Sequence, residues 1–130
     1  DALILEYCCD FKGVSRLRFV VSSTGADALI VTANNLGAPD TATWYYIVCW
    51  HDSVANTINI QVNDGTADSA AHSGGVFAGT GLFRLGAITT GEYHDGRIDE
   101  VGFWKRVLTA AERTALYNGG NGVTYPFAGV

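Results

Sequence analysis

Asp95, Asp99 and Glu100 form the acidic cluster of this chain that comes nearest to a glycoside-cleaving arrangement. Retaining hydrolysis of a sugar bond needs two carboxylates about 5–5.5 Å apart, one on each side of the bond. Asp99 and Glu100 are adjacent, so on a strand they point to opposite faces and cannot act as that pair. Asp95 and Asp99 share a parity, but Asp95 belongs to an Asp95-Gly96 turn and Arg97 stands between them. No catalytic residue is therefore assigned. Alternation along the same segment places Arg97, Asp99, Val101 and Phe103 on one face and Ile98, Glu100 and Trp104 on the other. If the Val101 face meets the core, a partly buried Asp99 needs a partner, and Arg97 or a backbone N–H is nearest. Arg97 and Asp99 are accordingly expected to be structural.

The second candidate is a row of rings. A strand over Thr43–His51 puts Trp44, Tyr46, Val48 and Trp50 on one face, with Ile47 and Cys49 on the other. Aromatic faces stack against the C–H faces of pyranoses, so Trp44, Tyr46 and Trp50 are candidate ligand-binding residues. The same row also suits a sandwich core. Loops offer hard oxygen donors at Asp40, Asp52, Asn63, Asp64, Asp68, Glu92 and Asp95, with Asp52, Asp64 and Asp95 the candidate metal ligands. Their spacing matches no EF-hand loop. His51, His72 and His94 lack the spacing of a zinc site, and Cys8, Cys9 and Cys49 contain no C-x-x-C. Cys49 either packs as a small hydrophobe or pairs with Cys8 or Cys9.

The elements that position these groups are short. Ala2–Tyr7 is apolar enough for a strand. Arg16–Ser22 alternates, with Leu17, Phe19 and Val21 on one face, and turns at Ser23–Asp27 around Gly25. Ala28–Ala33 has strand length, and 34–40 is a loop. Thr57–Asn63 alternates, with Ile58, Ile60 and Val62 inward and Asn59, Gln61 and Asn63 outward, and Asn63-Asp64-Gly65 closes a hairpin. Residues 66–81 read as an irregular loop or a small-residue edge. Leu82–Ala87 and residues 97–106 are expected strands. Thr109 three residues before Glu112 is a capping box, opening a helix expected to run to about Asn118 and to leave through Gly119-Gly120.

Composition narrows the class. At 130 residues one domain is expected, large enough for a core without disulfides. Charged residues are only 16%, while 48% are hydrophobic and 16 are Gly, which suits short strands, tight turns and surface covered by neighbours. A net charge of −5 argues against a nucleic-acid backbone as partner. The longest apolar run, Trp44–Trp50, is too short for membrane insertion. The pattern as a whole predicts an all-β fold, an antiparallel sandwich with one short C-terminal helix.

Asp95-Gly96, Ile98-Asp99-Glu100-Val101, Trp104, Leu108-Thr109, Glu112 and Leu116-Tyr117 resemble, in order, the closing segment of a laminin-G-like domain of the concanavalin A-like lectin/glucanase superfamily. Trp44–Val48, Ile58–Gly65 and Phe83–Gly86 resemble that family's upstream strands, so the similarity spans about residues 40–118. The resemblance implies a jelly-roll-type β-sandwich. It brings an expectation of calcium without locating the ion, and its hydrolase pattern of three spaced acids is not met here. Residues 1–120 would form the sandwich, with its first strands expected to precede Asp1 or to come from another chain, and 121–130 a tail. Two functions fit. One is a non-catalytic recognition or adhesion module that binds glycan. The other is a structural or decoration domain of a larger assembly, such as a virion or cell-surface polymer, contacting neighbouring protein subunits. Either implies an extracellular, cell-surface or virion-surface location, and the assembly role implies oligomer contacts.

Overall fold

The computed structural model describes residues 3–9, 15–87 and 93–127, the first of these as backbone only. Six strands form two antiparallel sheets. β1 (Leu3–Cys9), β2 (Ser15–Val21) and β3 (Leu29–Thr32) make the first, in that order; β4 (Ile47–Asp52), β5 (Thr57–Val62) and β6 (Asp68–Ala71) make the second. β1 pairs with β2 over its whole length, from Leu3 opposite Val21 to Cys9 opposite Ser15. Phe19 stands opposite Val31 in the first sheet, and Cys49 opposite Ile60 in the second.

The two sheets close on one hydrophobic core, as the alternation of their strands requires. Leu17, Phe19 and Val21 from β2 and Val31 from β3 meet Ile58, Ile60 and Val62 from β5, with Ala33 between. Phe19, Val21, Ile58 and Ile60 are fully buried, and each such side chain stabilises the fold by about 1.5–3 kcal/mol relative to exposure. Ile47 and Cys49 pack against this cluster from β4. Cys49 is a free thiol. Burial among apolar neighbours pushes its pKa well above the ordinary thiol range, as an inert structural cysteine requires.

The turns between strands show where register is set. Gly65 N–H donates to Val62 O at 2.9 Å, and Asn63 and Asp64 carry φ of 51° and 57°. That is a type I′ turn, whose twist matches the flanking strands. The left-handed residues are Asn63 and Asp64 rather than Gly65, since the short side chains of Asn and Asp tolerate that region. At the other end of β5, Asp52 Oδ1 accepts from Val54 N–H and Ala55 N–H, both at 2.9 Å, and fixes the β4–β5 turn. Gly25 adopts φ +84°, and a Cβ there would come within 2.7 Å of the Phe77 ring.

Three expected strands differ. β4 begins at Ile47, not Thr43, because Ala42 takes φ 55° and Asp40 N–H donates to Tyr45 Oη at 2.8 Å, folding 40–45 into a loop. Residues 82–87 contribute only an isolated bridge, Ala87 with Tyr93, and 97–106 form no strand. A strand needs a neighbour's ladder, and no described strand offers its edge to either segment. Instead Glu100 turns to φ 50° and donates its N–H to Asp99 Oδ1 at 2.9 Å. Residues 66–81 include a short edge strand, β6, of small residues.

The one α-helix among the described residues, α1 (Ala110–Tyr117), starts with the expected capping box. Glu112 N–H donates to Thr109 Oγ1 at 3.2 Å, and Thr109 N–H to Glu112 Oε2 at 2.8 Å. Arg106 clamps the same carboxylate at 2.7 and 2.8 Å. The left-handed exit is supplied by Asn118 at φ 48°, one residue before the glycines, followed by a single 3-10 turn.

Candidate functional site

The expected ring platform does not form, and the reason is α1. Tyr46 and Trp50 share the outer face of the second sheet, and α1 lies on it. Tyr46 and Tyr117 rings sit 5.9 Å apart. Arg113 stacks its guanidinium 4.4 Å from the centre of the Trp50 ring. Its Nε donates to Gln61 Oε1 at 2.7 Å and an Nη to Leu108 O at 2.6 Å. Thr114 Oγ1 donates to Asp64 Oδ1 at 2.9 Å, tying the helix to the β5–β6 turn. Asn59, opposite Trp50 on the neighbouring strand and expected outward, is buried on this covered face. Burial, offset in part by Arg113 and reinforced by Asp64, raises the Tyr46 hydroxyl to about 12. Two of the three candidate rings thus anchor a helix and are half-buried beneath it. Arg113 is the residue the sequence analysis missed. Its only signal was a cation at a helix position facing a strand with a tryptophan.

Trp44 separates from the other two. It lies in the 40–46 loop, 61% exposed. Tyr46 N–H donates to Asn63 Oδ1, and Asn63 N–H to Tyr46 O, each at 2.9 Å. These bonds bring the chain just after Trp44 to the β5–β6 turn. A cleft of about 240 Å³ opens at this end of the sandwich, lined by Ala33, Asn35, Leu36, Val62, Asn63, Gly65, Thr66 and Asp68. Asn35 N–H donates to Asp68 Oδ2 at 2.9 Å, joining the loop after β3 to the start of β6 and fixing the cleft's shape. Amides, a hydroxyl and a carboxylate over an apolar floor are the donor and acceptor set that vicinal hydroxyls require.

The opposite end carries a second cleft, of about 270 Å³, lined by Ser23, Leu29, Asn56, Ala71, His72, Ser73 and Gly74. His72 is buried there, its ring 5.2 Å from that of His51 and its Nε2 bonded to Gly75 O. Nearby, Asp27 organises the β2–β3 turn, accepting from Ser22 and Thr24 hydroxyls at 2.8 and 2.6 Å and from Ser23 Oγ. These bonds, Ser23 first, hold its carboxyl far below the usual carboxylate range.

The candidate metal ligands do not converge. Asp52 caps the β4–β5 turn, Asp64 bonds to Thr114, and Asp95 lies exposed beside Gly96. Glu92 falls outside the described residues. Among the described residues no group of three or more His, Cys, Asp or Glu side chains could hold a metal ion. Asp99 is exposed rather than buried, with its carboxylate turned to Glu100 N–H instead of to Arg97. Glu100 Oε2 accepts from Tyr125 N–H at 3.0 Å. Two of the three acids of the suspected cluster, Asp99 and Glu100, are thereby engaged with backbone rather than facing each other across a cleft.

No described helix is long and apolar enough to cross a membrane. No curated protein and no solved structure matches the chain. Residues 6–112 match a laminin G family model described as the concanavalin A-like lectin/glucanases superfamily. With that match over most of its length, and with an antiparallel sandwich and a single short α-helix, the chain belongs to the concanavalin A-like lectin/glucanase superfamily.

Proposed function

We propose that the chain is a non-catalytic recognition module that binds glycan at the cleft between the loop after β3 and the β5–β6 turn, with Trp44 at its margin. The observation that supports this most is a cleft with polar lining at the loop end of the sandwich, whose Asn63 bonds to Tyr46, two residues after the exposed Trp44. Asn35, Thr66 and Asp68 would bond sugar hydroxyls, and the Trp44 ring would stack on a pyranose face. Loops at the end of a sandwich suit this task because the sheets hold them while their tips remain open to solvent. An extracellular, cell-surface or virion-surface setting goes with the reading.

The test is a glycan array probed with wild type and with Trp44→Ala, each with calcium and with chelator. Binding by the wild type, lost in the variant, supports the site. A folded protein that binds no glycan, or a variant that binds as well as wild type, refutes it. Loss on chelation would add calcium to the site through ligands that the sugar or the solvent completes.

A second reading, structural decoration of a larger assembly, is favoured by a different observation. Leu82, Phe83, Leu85, Tyr93 and Phe103 are all large, apolar or aromatic, and exposed.

A further inference from the structure

The cleft that Asn35, Thr66 and Asp68 shape is short of the groups that hold an anion. Among the described residues that line it, Asp68 is the one charged side chain. Its Oδ2 accepts from Asn35 N–H at 2.9 Å, which leaves Oδ1 without a partner in the described chain. A second carboxylate, Asp64, sits in the adjoining turn between the lining residues Asn63 and Gly65. No Lys or Arg is among the described lining residues. Arg16 brings its guanidinium to Gly37, one residue beyond the lining Leu36, without lining the cleft itself.

Backbone could replace a missing cation, since successive N–H groups aimed at one point make an anion cradle. Here those groups are spent inside the protein. Ala33 N–H donates to Leu17 O, Asn63 N–H to Tyr46 O and Gly65 N–H to Val62 O, each at 2.9 Å. With Asn35 N–H on Asp68, no two successive lining residues keep both amides open. What remains for a ligand is the Asn35 side chain, the Thr66 hydroxyl, Asp68 Oδ1 and the Asn63 amide nitrogen, whose Oδ1 already accepts from Tyr46 N–H. Neutral donors beside one carboxylate suit sugar hydroxyls, which both give and take a hydrogen bond. A sulfate ester or a sugar carboxylate only accepts. It would lose hydration in the cleft and meet Asp68 with no counter-charge. The net charge of −5 on the chain acts in the same direction.

We infer that the glycan taken at this cleft is neutral, and that Asp68 excludes sugars bearing sulfate or carboxylate. The inference rests on the glycan reading of the cleft. The experiment presents the full chain with an array of the same oligosaccharide backbones in neutral, sulfated, and uronic- or sialic-acid forms. Chelator is present, so that no bound cation alters the charge, and circular dichroism checks folding. Wild type is expected to bind neutral backbones, and their charged forms at least about tenfold more weakly. Neutral binding should hold within about twofold between about 0.05 and 0.5 M salt, because no ion pair contributes. Asp68→Asn keeps an acceptor for Asn35 N–H and removes the charge. It is expected to narrow the gap at least about threefold, with neutral binding within about threefold of wild type. Arg16→Gln is expected to alter binding of neither class. Charged forms that bind as well as their neutral parents overturn the inference and leave the glycan site standing. A gap that Asp68→Asn does not narrow overturns the role of Asp68, and charged-form binding lost in Arg16→Gln overturns the absence of a cation. An array on which folded wild type binds nothing refutes the glycan site, and this inference with it.

Discussion

Replacing Arg113 by Ala tests whether α1 is fastened to the second sheet by one side chain. The guanidinium makes three contacts at once: the Trp50 face at 4.4 Å, Gln61 Oε1 at 2.7 Å and Leu108 O at 2.6 Å. A cation over a partly covered ring is worth about 0.5–1 kcal/mol. Hydrogen bonds from a charged donor contribute about 1.5–3 kcal/mol each when desolvated, and the lower end applies here because Arg113 is only half-buried. The contacts share one side chain and are not additive, so the expected loss is about 2–3 kcal/mol. With a urea m-value of about 2 kcal/mol/M for a chain of this size, the midpoint should fall by about 1–1.5 M. Trp50 fluorescence reports the same event, because its ring loses the cation. Arg113→Lys keeps the charge but loses the planar fork, and should recover less than half the loss. A midpoint that moves by less than about 0.3 M in Arg113→Ala, or a lysine variant equal to wild type, would refute the anchoring.

Further outcomes follow from other parts of the fold. Phe19→Ala should cost about 3–5 kcal/mol in denaturant unfolding, since its ring is fully buried between the sheets, whereas Ile30→Ala on the exposed face should cost less than about 1 kcal/mol. Asn63→Ala removes the bond to Tyr46 N–H and forces Ala to φ 51°, an expected loss of about 2–3 kcal/mol; Asn63→Gly should cost about half that, because only the bond is lost. Arg106, with help from the Thr109 N–H, lowers Glu112 from 4.5 to about 2, so its stabilising contribution is whole above pH 4.5 and is lost as pH falls through about 2. Thermal midpoints of wild type should therefore fall further than those of Glu112→Gln between pH 4.5 and 2, and parallel curves would contradict the clamp. Asp27 loses stabilisation on acidification in both proteins, so the difference between them isolates Glu112.

What could be read from the sequence is what local chemistry decides. The inward faces of β2 and β5 follow from period-two alternation, and every residue assigned inward there is buried. The Thr109/Glu112 box marks the start of α1 to the residue. What could not be read depends on partners distant in sequence. Trp44, Tyr46 and Trp50 looked like one row because alternation assumes a continuous strand. The turn at Ala42 and the Tyr45–Asp40 bond end that strand at Ile47. The ring row and the cationic helix position were both visible in the sequence, but only the fold showed that Arg113 occupies Trp50. The segment 97–106 has the composition of a strand and lacks a ladder within the described chain, so composition alone overstated its order. The cleft at Asn35, Thr66 and Asp68 had no sequence signature, since it joins two loops 33 residues apart through a single hydrogen bond.

The central claim is that recognition happens at the loop end of the sandwich and not on the sheet face beneath α1. It is tested most directly by backbone NMR of the labelled chain titrated with the tightest glycan from the array. The account predicts saturable shifts at Trp44, Asn35, Thr66 and Asp68, with Trp50, Gln61 and Arg113 unmoved. Shifts concentrated at Trp50, Gln61 and Arg113, with the loop end silent, would contradict it.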